Sequence, residues 1–145
     1  MTALQPPTQP PSASELIQNP VVHEAIEDAW NDSQPNDPAR RHEEGGWIYM
    51  EISTGILSIR RAPRGLQARI NLGNPPPVSG ATVVGTFHTH PNPTAEGWNP
   101  GPSATDRNSA AITGVPWLIK ADNGNYLAGP TTRRGGLGGG PGFPP

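Results

Sequence analysis

Residues 81–87 (Ala-Thr-Val-Val-Gly-Thr-Phe) constrain the fold more than any other stretch of the chain. β-Branched and aromatic residues dominate, which reads as a strand. No charged residue interrupts the run, and a strand of that kind is buried on both faces, at the centre of a sheet. Flanking strands and two covering layers must then come from the rest of the chain.

They are signalled in order. Asn19 can cap a helix, Pro20 suits its first position, and Val22, Ala25, Ile26, Ala29 and Trp30 fall on one face at helical spacing. Ser14-Glu15-Leu16-Ile17 can start an earlier turn. Residues 31–39 are rich in Asn, Asp and Pro and read as a loop. From Gly46 an aromatic and β-branched strand begins. Thr54-Gly55 turns it, and residues 56–60 return as its hairpin partner. Residues 66–72 alternate and read as a further strand. After a long loop over 91–102, residues 103–112 read as a second helix ended by Gly114. Residues 115–120 and 126–128 form a hairpin around Asp122-Asn123-Gly124-Asn125. This order predicts one α/β (α+β) domain, a mixed sheet flanked by helices.

The ends differ from the middle. The chain has 145 residues with 20 Pro and 18 Gly, concentrated at the two termini. Residues 1–13 read as a disordered Pro-rich arm and 131–145 as a flexible Gly/Pro-rich tail, leaving a domain over 14–130. A net charge of −2 gives no electrostatic case for nucleic acid or acidic membranes. There are no cysteines, which excludes disulfides, Cys-ligated zinc and a thiol nucleophile. The N-terminus lacks the basic and apolar regions of a signal peptide, and no run is long enough to span a membrane. The expectation is a soluble, cytoplasmic protein.

The central strand ends in His88-Thr89-His90-Pro91. Side chains alternate along a strand, so His88 and His90 point the same way, about 6–7 Å apart along the backbone, and can share one metal ion. Equally, such a pair can be two solvated or hydrogen-bonded imidazoles. Asp106 is the candidate third ligand, with Asp122 as the fallback. Two His and one carboxylate leave the fourth tetrahedral position of Zn²⁺ open to water, as in catalytic sites. Ser103-x-x-Asp106 is also a good helix N-terminus, and an Asp in a first turn can cap and still reach a metal. Upstream, Glu43 and Glu44 precede Gly45-Gly46. They read either as a solvated acidic turn balanced by Arg40 and Arg41, or as a carboxylate held at a strand mouth.

Glu-x-x-Gly before a strand, then His-x-His-Pro, then Ser-x-x-Asp opening a helix, resembles the motif of the JAMM (MPN+, JAB) metalloproteases. Glu43, Gly46, His88, His90, Pro91, Ser103 and Asp106 carry it, and the resemblance looks closest to the bacterial JAB-like branch. It implies a JAMM/MPN-like fold in which His88, His90 and Asp106 hold Zn²⁺. It implies that Glu43, rather than Glu44, is the general base and that Ser103 stabilises the oxyanion. The implied activity is a zinc isopeptidase or peptidase cutting after a C-terminal Gly of a ubiquitin-like protein. The chain departs from the family in one place: 15 residues lie between His90 and Asp106, more than is usual, and the excess falls in the 92–102 loop. Two other classes stay open: a JAMM hydrolase of another substrate, such as peptidoglycan or a toxin target, and a non-catalytic MPN-type binding module. The tail's own Arg133-Arg134-Gly135-Gly136 looks like the end of a ubiquitin-type protein and raises the idea of substrate mimicry or clipping.

Overall fold

The computed structural model describes residues 9–135. Five strands form one mixed sheet in the order β2-β1-β3-β4-β5: β1 Gly45–Glu51, β2 Leu57–Arg61, β3 Ala81–His90, β4 Trp117–Ala121 and β5 Gly124–Ala128. The run singled out in the sequence is the middle strand. β3 pairs antiparallel with β1 on one side and parallel with β4 on the other. The parallel pair requires a crossover, and the helix α3, Ala104–Thr113, lies in that connection.

Two further helices, α1 Ala13–Gln18 and α2 Pro20–Asp32, cover one face. Ser12 caps α1 in a capping box with Glu15, and Asn19 caps α2 with Pro20 at the helix start. Leu16, Val22, Ile26 and Ala29 pack on Ile48, Met50, Val84, Phe87 and Leu118. Each such large buried side chain contributes roughly 1.5–3 kcal/mol relative to exposure. On the other face, Ala110 of α3 joins Ala62 and Leu72 over Trp47, Tyr49, Val83, Trp117 and Ile119. The result is a single α+β domain.

One irregularity in β3 decides what its end presents. Ile48 pairs with Gly85 and Tyr49 with Val83, so Val84 is an extra residue in β3. Such a bulge reverses the alternation beyond it. Before the bulge, Val83 faces α3 and Val84 faces α1 and α2. After it, Gly85 and Phe87 face α1 and α2, which leaves His88 and His90 on the α3 side. Without the extra residue the histidines would point away from Asp106.

Residues 66–72 are not a strand. A single bridge joins Leu66 to Arg69, and the Leu66 N–H donates to the Arg69 carbonyl at 2.7 Å, which closes a tight turn. The backbone on either side is engaged elsewhere: Glu43 N–H donates to the Leu66 carbonyl and Gly65 N–H to the Glu43 carbonyl. The segment then lies over the sheet as a covering layer. Its Leu72 and Pro76 carbonyls accept from Trp47 Nε1 and Tyr49 Oη.

The flexible tail expected from residue 131 onward is packed at its start. Ala13 N–H donates to the Thr131 carbonyl, Ser12 bridges Thr132, and Arg134 N–H donates to the Gly114 carbonyl. Arg133 is buried, its guanidinium donating to Thr82 Oγ1 and the Val83 carbonyl. That anchor is about 20 Å along β3 from His88 at the usual rise of a strand. The rest of the expected tail, 136–145, and residues 1–8 of the arm lie outside the described residues. No helix among the described residues is long and apolar enough to cross a membrane.

Candidate metal centre

The site forms where three chain segments meet at the C-terminal end of β3. β3 supplies His88 and His90, and the start of α3 supplies Asp106. Glu43 enters from the segment before β1, held by the backbone bonds at Gly65 and Leu66. Gly45 pairs with His88, and a Cβ there would lie 2.3 Å from the Phe87 carbonyl oxygen and 2.8 Å from His88 Cβ. At Gly46 a Cβ would lie 2.2 Å from the Arg60 carbonyl oxygen. The Gly-Gly pair is therefore a steric condition for closing β1 onto both neighbours at the site.

His88 Nε2 and His90 Nε2 are 3.2 Å apart. Asp106 places Oδ1 3.3 Å from the first nitrogen and Oδ2 3.2 Å from the second. The edges of a tetrahedron with metal–ligand bonds of 2.0–2.1 Å are roughly 3.3–3.4 Å, close to the separation of the two imidazole nitrogens, and each Asp106 oxygen stands at a similar distance from one of them. Glu43, His88 and His90 likewise bring ligand atoms within 4.8 Å of one another, a group able to hold a metal ion. Glu43 Oε2 stands further back, 4.0 Å from His90 Nε2. Asp106 thus brings its oxygens nearer to the two histidines than Glu43 does.

The surroundings prepare these groups. His90 Nδ1 lies 3.1 Å from the Pro100 carbonyl, which can only accept. A proton therefore sits on Nδ1, which in the neutral ring leaves the Nε2 lone pair for a ligand bond. His88 packs edge-on to Trp117, with ring centroids 5.9 Å apart. Complete burial disfavours its cation and lowers its pKa, against the opposing pull of Asp106. Burial opposes charge on His90 too, but Asp106, Glu43 and the Pro100 carbonyl outweigh it and raise that pKa. Burial alone would also raise Asp106; its bonds to the two imidazoles and to the Ser103 N–H hold it well below the usual carboxylate range instead. Glu43 is pushed up to about 8, chiefly by burial, with His90 pulling it down and Asp106 pushing it further up.

Ser103 and Asp106 form a reciprocal cap on α3. Asp106 N–H donates to Ser103 Oγ at 3.0 Å, and Ser103 N–H donates to Asp106 Oδ2 at 2.9 Å. One carboxylate both caps the helix and reaches both histidines. Because Ser103 Oγ accepts in the cap, its own proton is free to donate outward. Glu43, His90, Ser103 and Asp106 line a cleft of about 570 Å³ whose walls include Arg69 and Trp98.

The structure places the rivals elsewhere. Glu44 points to the opposite side, where His42 Nε2 lies 2.5 Å from Oε2 and Arg61 donates to Oε1 at 2.7 Å. Asp122 accepts from the Thr94 N–H and hydroxyl and so anchors the long loop. Arg41 pairs with Glu96 of the same loop at 3.0 Å. Asn92 and Gln67 exchange bonds across it. The extra residues between His90 and Asp106 are therefore an ordered wall of the cleft that also delivers the Pro100 carbonyl. Sequence reading did not single out Pro100, Arg69 or the buried Thr89 between the histidines; only for Thr89 was there a signal, its opposite phase on the strand. Compared with protein families, with curated proteins and with solved structures, the chain finds no match in any of the three.

Proposed function

We propose that the protein is a zinc-dependent isopeptidase or peptidase of the JAMM type, hydrolysing an amide bond after the C-terminal Gly of a ubiquitin-like protein. The observation that carries this reading is the convergence of His88, His90 and Asp106 at spacings of 3.2–3.3 Å with Glu43 one step behind. Two imidazoles and a carboxylate suit zinc, since the set is nitrogen-rich, three-membered and leaves a position open. When bound, zinc lowers the pKa of a coordinated water toward neutrality and polarises a carbonyl.

The chain's residues do the rest. Glu43 stands in a buried pocket behind the two histidines, from which it can take the proton of the attacking water and pass it to the leaving amine. The Ser103 hydroxyl accepts in the α3 cap, which leaves its own proton to donate to the tetrahedral oxyanion. The cleft between the 68–70 and 98–101 segments leads to these groups and has room for an extended peptide tail.

The test is hydrolysis of ubiquitin-like C-terminal amides and conjugates by the zinc-loaded protein, with chelator and Glu43→Gln controls. Cleavage after Gly that both controls abolish is the expected result. Zinc binding without cleavage of any such substrate would overturn the ubiquitin-like assignment. Unchanged turnover in Glu43→Gln would overturn the role given to Glu43.

A further inference from the structure

Behind the metal ligands, on the other face of the sheet, two hydroxyls are buried together. Thr89, between His88 and His90, and Ser33, at the end of α2, are both fully buried, with Oγ1 and Oγ 2.5 Å apart. The direction of the bonds is determined by their partners. Ser33 Oγ donates to the Ala29 carbonyl at 2.8 Å, so it can only accept from Thr89. Thr89 Oγ1 in turn accepts from the Glu44 N–H at 3.0 Å. The chain runs Glu44 N–H to Thr89 O–H to Ser33 O–H to the Ala29 carbonyl, each hydroxyl donating once and accepting once. The Thr89 N–H also donates to the Glu44 carbonyl at 2.9 Å.

We infer that Thr89 and Ser33 are positioning residues: their hydroxyl chain locks the His88–His90 backbone and the Glu43–Glu44 backbone to α2 and so sets the spacing of the metal site. Thr89 shares its peptide units with both histidines, and Glu44 shares one with Glu43. A displacement of either segment moves ligand atoms whose spacing must hold to a few tenths of an ångström. None of the four bonds touches substrate or metal, so the effect is transmitted through the backbone. Outer partners of metal ligands typically change affinity by about 10–100-fold. The inference rests on the zinc-site reading above, in that it assigns the support of the same site.

The experiment compares zinc affinity, by chelator competition, in wild type, Thr89→Val, Thr89→Ser and Ser33→Ala. Thr89→Val keeps the shape and removes the hydroxyl. It should bind zinc at least about tenfold more weakly. Thr89→Ser restores the hydroxyl and should return to within about threefold of wild type. Ile26→Val, a core change in α2 off the chain, is the stability control and should leave affinity unchanged. Wild-type affinity in Thr89→Val, or an equal loss in Ile26→Val, would overturn the inference. Should Thr89→Val not fold, Ser33→Ala decides: a loss of affinity supports the chain and none overturns it. If wild type itself binds no zinc, the metal reading fails separately. The imidazole NMR signals of His88 and His90 in metal-free protein then decide: shifted in Thr89→Val and restored in Thr89→Ser supports the chain, and unchanged signals overturn it.

Discussion

Glu43 and Glu44 are neighbours of the same chemistry, separated by the side of the sheet each faces. Glu43 looks onto His90 in a buried pocket, and Glu44 is held by His42 and Arg61 on the other side. Glu43→Gln should keep zinc while turnover falls by about 10²–10⁴-fold, the usual range for a general acid–base group; metal content and turnover on one preparation check this. Its pKa makes a second expectation in the metal-free protein. Raised in the fold to about 8 from an ordinary 4.5, Glu43 adds stability below about pH 4.5 that is lost as pH climbs through 8. Wild type should therefore lose stability relative to Glu43→Gln between pH 5 and 8, on the order of 3 kcal/mol, measured by urea unfolding at both values. Ser103→Ala should lower turnover by about 10²-fold. It also removes the α3 cap, worth about 1 kcal/mol, so a melting curve must accompany the kinetics.

The strand ends and helix caps are where the elements meet the chemistry. Gly45→Ala would drive a methyl group into the Phe87 carbonyl and His88 Cβ. It should lower both the melting temperature and zinc affinity; zinc titration of the variant at a temperature where it is fully folded separates the two effects. The existence of most elements was legible because their signals are local: Asn19-Pro20 opening α2, Thr54-Gly55 turning β1 into β2, and Ser103-x-x-Asp106 capping α3. The segment 66–72 misled because its alternation is real but its backbone is committed to Glu43 and to its own tight turn, and β3 already has β1 and β4 as neighbours. The bulge at Val84 was also illegible, because it exists only in the pairing of β3 with β1. Both histidines were found regardless, since both lie beyond that bulge and share a phase.

At the scale of the whole molecule, the site joins parts of the chain that are remote in sequence. Thr89 and Ser33 lie 56 residues apart, and no local pattern announces their contact. Glu43, His90, Ser103 and Asp106 reach one cleft because the β3–α3–β4 crossover brings the start of α3 over the end of β3 while the 62–80 layer holds Glu43 from the side. Zinc that binds only the folded arrangement should stabilise the domain, by about 2.7 kcal/mol at a free concentration of 100 Kd. For a domain of this size that is roughly a 10 °C rise in melting temperature, reversed by chelator. The measurement closest to the central claim is the zinc content of purified wild type, His88→Ala and Asp106→Ala. One zinc per wild-type chain, lost in both variants, is expected. Zinc retained in Asp106→Ala would contradict the ligand set, and wild type that takes up no zinc on reconstitution would contradict the metal centre itself.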